Sequence, residues 1–190
     1  MFSGFSDKLP IRFIMSIQAA ISVINDMKND GVIQRYAIGG AVGATFYIEP
    51  AETEDIDVFV TLEAAVDALL VDLAPIYSYL KSRGATVEGQ YIVVEGWPVQ
   101  ILMPNVNSSL DAEALEQAVD KPYHGITVPV FTAEHLAAKA LELGRPKDRV
   151  RLAQFAAPGV LDSAKFQAIL ERHKLVDKWL QFRRSISGNA

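Results

Sequence analysis

The sequence predicts an α+β fold, with a mixed β-sheet core followed by a carboxyl-terminal helical region, on three observations. Short runs rich in β-branched and aromatic residues, at 32–38, 55–60, 87–94, 98–102 and 125–131, read as strands. Apolar residues at helical spacing separate the earlier runs and take over the chain after residue 131. Strands and helices are therefore mixed first and helices stand alone afterwards, so a sheet is expected to carry its last helices as a separate layer. The division that follows is a core over residues 1–131 and a helical region over 132–190 packed on it.

In chain order, Ile14, Ile17, Ile21 and Ile24 mark an amphipathic first helix after Pro10, with Gly31 as its stop. The strand at 32–38 runs into Gly39-Gly40 and a short helix carrying Val42 and Phe46. A polar loop at 49–54 leads to the strand Asp55-Ile56-Asp57-Val58-Phe59-Val60. Helices are expected at 62–73 and from Pro75 to about Arg83. The runs 87–94 and 98–102 form a hairpin about the turn Glu95-Gly96-Trp97. Residues 105–109 read as loop, 110–119 as helix, 125–131 as the last strand, and 185–190 as a disordered tail. Four helices, at 132–143, 146–156, 163–172 and 175–183, complete the chain.

Composition narrows the function classes. The chain has 190 residues, 50% hydrophobic and 22% charged, and no apolar stretch long enough to span a bilayer, so no membrane role is expected. Nothing in the first residues reads as a signal peptide, and the absence of cysteine removes disulfides, thiolate metal sites and cysteine nucleophiles. A cytoplasmic location is the expectation. The net charge of −5 has the wrong sign for strong duplex nucleic-acid binding. The basic cluster Arg145, Lys147, Arg149 and Arg151 is the exception, and a solvated helix face is its ordinary reading.

Two features carry chemistry. Side chains alternate along a strand, so Asp55 and Asp57 share a face, and paired hard oxygen donors suit Mg²⁺ (or Mn²⁺), which takes one or two carboxylates and completes its sphere with water and phosphate. Phosphoryl or nucleotidyl transfer is the reaction such a pair serves. Gly39-Gly40, where a strand passes into a helix, leaves backbone N–H groups open to a phosphate.

Tyr36-Ala37-Ile38-Gly39-Gly40 followed by Glu54-Asp55-Ile56-Asp57-Val58 resembles the signature of the polymerase-beta-like nucleotidyltransferase superfamily. Fourteen residues separate Gly40 from Asp55, close to the usual spacing of that signature. His135-Leu136-Ala137-Ala138-Lys139 and Gly144-Arg145-Pro146-Lys147-Asp148 resemble segments of its AbiEii-type branch, which includes toxins of toxin–antitoxin and phage-defence systems and overlaps with antibiotic-modifying enzymes. The resemblance spans residues 32–151. It implies that Gly39 and Gly40 contact a triphosphate, that Asp55 and Asp57 hold Mg²⁺, that Lys139 reaches a phosphate beside Arg145, and that Lys147 and Asp148 support the site. Read from its helix alone, Lys139 is equally a lysine at the edge of a buried stripe. The expected partners are an NTP, a hydroxyl acceptor and, in a toxin–antitoxin-like role, a protein.

One position departs from the superfamily pattern. A third carboxylate is expected on a later strand, and Gln100 stands there. Its amide oxygen can ligate a cation but takes no proton. Glu88 or Glu95 substitutes if the hairpin register brings either across. His124, His135 and His173 lack ligand spacing and are assigned surface or capping roles, while Trp97 and Trp179 are assigned to packing.

Overall fold

A computed structural model describes residues 11–50, 53–62, 72–89, 91–104 and 109–187. Helix α1 (Ile11–Asn29) precedes β1 (Arg35–Ile38), the short α2 (Gly40–Ala44), β2 (Ile56–Thr61) and α3 (Ala74–Ser82). Then come β3 (Thr86–Glu88), β4 (Tyr91–Val94), β5 (Trp97–Leu102), α4 (Ser109–Glu116), β6 (Val119–Tyr123) and β7 (Ile126–Val130). Helices α5 (Ala133–Leu143), α6 (Pro146–Phe155), α7 (Ser163–Arg172) and α8 (Val176–Ser187) follow. The strands form one mixed sheet in the order β3-β4-β5-β2-β1-β7-β6, with β2 antiparallel to β1 and parallel to β5. The α+β architecture is the predicted one.

Strand alternation sorts the core into two layers. Tyr36, Ile38, Ile56, Val58, Val60 and Val99 turn to one face and bury against Ile17, Ile21 and Ile24 of α1 and Ile76 and Leu80 of α3. Ala37 and Phe59 turn to the other face, under Leu136, Ala137 and Leu141 of α5, Leu152 and Phe155 of α6 and Phe166 of α7. Asp57 alternates with Val58 and so belongs to the face that the carboxyl-terminal helices cover. Residues of α6 share a core cluster with Phe59 and line a hollow together with Asp57.

The capping chemistry of these helices follows their sequence. The Thr132 hydroxyl accepts from His135 N–H at the start of α5, Gly144 ends it at φ +64°, and the Asp162 carboxylate accepts from Ala164 and Lys165 N–H at the start of α7. Trp179 packs edge-on to Phe166 and stacked with Phe182, as assigned, and Arg183 lies over its ring. Trp97 is buried too, though as the first residue of β5: the turn is Glu95-Gly96 alone, both at positive φ.

Three elements differ from the sequence reading. The run 87–94 is split after Glu88, where Gly89 takes φ +61°, and its halves pair antiparallel as β3 and β4. The helix expected to reach residue 119 stops at Glu116, and Val119–Tyr123 pairs with β7 across a His124-Gly125 turn. This strand escapes period-2 reading because it is an edge with one buried residue, Tyr123, and it tolerates Pro122 because an edge leaves half its N–H groups unpaired. The tail is helical through Ser187. The expected helix at 62–73 and loop at 105–109 fall largely outside the described residues.

Glu113 of α4 ties three helices together. Its carboxylate meets Nε2 of buried His135 at 3.3 Å and Nε2 of His173, the last residue of the α7 cap, at 2.7 Å, and accepts from the Arg172 guanidinium. His135 is thus a satisfied core histidine, not a surface one. Arg172 above all, with the two histidines, holds Glu113 down at about 2, while burial pushes His135 below the ordinary histidine range. Both groups sit below their unfolded values, so their stabilisation is present at neutral pH and lost as pH falls, first through the histidine range and then from the ordinary glutamate range toward 2. Glu113→Ala is expected to lower the unfolding free energy by about 2 kcal/mol at pH 7, read from urea denaturation, and by progressively less in acid.

Candidate functional site

The glycine pair and the acidic strand are built against each other. Gly39 ends β1 and donates its N–H to the Asp57 carbonyl at 3.0 Å. A Cβ on Gly39 would lie 2.6 Å from the Phe59 ring. Gly40 takes φ +55°, and a Cβ there would lie 1.7 Å from Asp57 Oδ2. The Asp57 carboxylate therefore rests on the bare Cα of Gly40, so each glycine is required by a specific neighbour on β2.

Asp55 lies one residue before β2, and Asp57 is its second residue. Both line a cavity of about 1010 Å³. Burial, then the neighbouring Asp55 charge, push the Asp57 carboxyl up to about 6, against the pull of Arg151, Lys147 and Arg145. These three cations line the same cavity from α6 and its amino-terminal residue, so the site has an acidic wall on the sheet and a basic wall on the helix.

The basic wall is organised by Asp148, which is 1% exposed. Its carboxylate accepts from Arg145 Nε at 2.6 Å and from Arg151 Nη2 at 2.9 Å, fixing both guanidiniums. Arg149 turns away to Ser185 on α8. The basic cluster is accordingly not a uniform solvated face. Sequence reasoning named Arg151 only within the basic cluster and not as a site residue, although its spacing of four from Lys147 and three from Asp148 was a usable signal.

Gln100 is the register partner of Asp57 on the adjacent parallel strand, so the residue standing where a third carboxylate was expected lies beside Asp57. The hairpin does not replace it. By the register of β4 and β5, Tyr91 lies beside Gln100, and Glu88 lies beside Tyr91 on β3, exposed and two strands from Gln100. Glu95 sits in the turn at the other end of β4. Among the described residues no group of three or more His, Cys, Asp or Glu side chains is arranged to hold a metal ion. Two carboxylates on one wall, with a neutral amide oxygen alongside, fit one hard divalent cation that keeps water and phosphate in its sphere.

Lys139 is placed differently from the other cations. Its Nζ lies 2.7 Å from Asp111 Oδ1 and 2.8 Å from Glu142 Oε2, and it lines a second, smaller cavity and not the larger one. Asp111, 7% exposed, was not singled out in the sequence, because its partner lies 28 positions away. Among the described residues no helix is long and apolar enough to cross a membrane.

No family model and no curated relative matches the chain. Among solved structures it is similar to the antibiotic-resistance factor ANT(2'')-Ia in solution, at TM-score 0.48 and 11% identity over 95% of this chain and 96% of that one. It is also similar to ANT(2'')-Ia crystallised with adenylyl-2''-tobramycin, at TM-score 0.44 and 11% identity over 92% and 98%. A third neighbour, an antigenic nucleotidyltransferase-like protein from Paracoccidioides brasiliensis, aligns at TM-score 0.54 and 15% identity over 93% of this chain and 91% of that one, and this likeness shows that the chain has a nucleotidyltransferase-like fold.

Proposed function

We propose that the chain is a Mg²⁺-dependent nucleotidyltransferase that moves a nucleoside monophosphate from an NTP to a hydroxyl acceptor. The observation that supports this most strongly is one cavity with Asp55 and Asp57 on one wall and Arg145, Lys147 and Arg151 on the other. A polyphosphate between these walls meets cations on the α6 side and, through a divalent ion, the carboxylates on the β2 side. When bound there, that ion would neutralise charge on the reacting phosphate and acidify the acceptor hydroxyl. Asp55 and Asp57 would hold it, with Gln100 as a neutral third donor. Gly39 N–H is taken by the Asp57 carbonyl, so the glycine pair serves the site by seating Asp57 and not by an open N–H at Gly39, and Asp148 keeps Arg145 and Arg151 aimed at the phosphates. The acceptor oxygen forms a bond to the α-phosphorus as the bond to pyrophosphate breaks, and the acceptor proton passes to water because Gln100 takes none.

Calorimetric titration with each NTP in Mg²⁺ tests this directly: saturable binding that EDTA removes is expected, and no binding of any NTP would rule the reading out.

A second reading rests on Gln100. With a neutral amide beside Asp57 the fold binds nucleotide, or a protein partner as in the toxin–antitoxin members of the AbiEii-type branch, without turnover. Gln100→Asp separates the two. If the wild type is a transferase, the substitution changes an existing rate of NTP consumption; if it is a non-catalytic binder, consumption arises only in the variant. Pyrophosphate release is the measurement.

A further inference from the structure

Transfer between two substrates needs two chambers that meet at the reacting phosphorus, and a second hollow fits that need. Its volume is about 290 Å³, and it shares Asp57, Gln100, Arg145 and Arg151 with the larger cavity. Its walls are of a different kind: Phe59, Phe131 and Phe155 with Leu102, Met103 and Leu136. Such walls suit an apolar body. The volume equals that of about ten water molecules in the liquid, too small for a nucleotide. Leu143, also in the lining, is 45% exposed, an apolar side chain left open beside the hollow.

Beyond the residues it shares with the larger cavity, and Asp148, the polar group of this hollow is the Asp111–Lys139 pair. Lys139 donates to Asp111 Oδ2 at 2.9 Å, and Glu142 holds the same ammonium. Oδ1 lies within ion-pair distance of Lys139 yet is buried and accepts no directed hydrogen bond. That oxygen keeps accepting capacity that a donor on a ligand in the hollow can use.

We infer that the smaller hollow is the acceptor chamber and takes a small alcohol or phenol with an apolar body whose second hydrogen-bond donor meets Asp111. This rests on the nucleotidyltransferase reading. The reacting hydroxyl faces Asp57 at the junction of the two cavities, the ring or chain lies among the phenylalanines, and the far donor binds Asp111 Oδ1. Lys139 is then a positioning residue that keeps Asp111 ionised and oriented.

The test uses tyramine, which joins a phenolic hydroxyl, an apolar ring and an ammonium, on protein with ¹³C-labelled Leu, Val and Met methyl groups. In Mg²⁺ with a non-hydrolysable NTP analogue, tyramine is expected to shift the Met103, Leu102 and Leu136 methyl signals and spare Val42 and Val150 of the larger cavity. Asp111→Asn is expected to weaken tyramine tenfold or more while the analogue's calorimetric affinity stays unchanged. Should that variant fail to fold, Ala140→Leu, which narrows the hollow without touching Asp111, serves with the same expectation. No saturable tyramine binding, shifts confined to Val42 and Val150, or tyramine affinity unchanged in both variants overturns the chamber alone. Failure of the analogue to bind the wild type overturns the nucleotidyltransferase reading, and the acceptor role with it.

Discussion

Asp57→Asn is expected to weaken Mg²⁺-dependent NTP binding by about 100-fold or more, to abolish transfer, and to stabilise the protein in EDTA. The two effects have one cause. The Asp57 carboxyl is buried and faces Asp55, so its folded value is raised to about 6 and its ionisation at neutral pH costs folding free energy. The sign follows from a raised value: stability in EDTA increases as pH falls through about 6 toward the ordinary aspartate range, where the folded carboxyl is neutral and the unfolded one is not. An asparagine is neutral throughout. The variant should therefore be more stable than wild type at pH 7.5, by on the order of 1–3 kcal/mol, and the difference should shrink by pH 5. Thermal unfolding in EDTA at the two pH values measures this. A variant less stable than wild type at pH 7.5 would show that the α6 cations outweigh burial and Asp55. Asp55→Asn removes one source of the upward push and should give part of the gain, with a comparable loss of metal-dependent binding.

Gly40→Ala is the second large effect, expected to reduce stability by about 2–4 kcal/mol and NTP affinity together. The added methyl carbon would lie 1.7 Å from Asp57 Oδ2 on a backbone held at φ +55°. Either the carboxylate moves or the junction between β1 and α2 opens, and both disturb the acidic wall. Gly39→Ala meets the Phe59 ring at 2.6 Å, and its cost falls on the core beneath the site. The discriminating measurement is Mg²⁺ affinity against stability: Gly40→Ala should lose both, whereas Gly39→Ala should lose mainly stability. Equal Mg²⁺ affinity in wild type and Gly40→Ala would separate the glycine from the metal site.

Local chemistry explains which parts of this arrangement were legible beforehand. The strand–glycine–helix junction and the Asp-x-Asp strand are contiguous in the chain, and the strand's two-residue repeat alone places Asp55 and Asp57 on one side. The helices expected at 132–143 and 163–172 are read the same way, since helical spacing and end signals act within three or four residues. Strand β6 was missed because a solvated edge has no apolar alternation to detect.

The site's second half was decided by tertiary structure. The position of Gln100 was suspected from its strand, but that it sits beside Asp57 depends on inter-strand register, and that Glu88 lies three strands from Asp57 depends on strand order. Whether Arg145, Lys147 and Arg151 form a solvated face or a phosphate wall depends on how α6 docks over the sheet, and the helical repeat is the same in either case. Lys139 shows the limit most directly: its helix position allowed a phosphate ligand or an edge lysine, and the chain brings Asp111 to it from 28 residues away. The sequence by itself determined that Gly39-Gly40 and Asp55 with Asp57 form one platform, because those contacts are nearly local. Only the fold decided what that platform faces, because opposing walls come from segments joined by packing and not by sequence spacing.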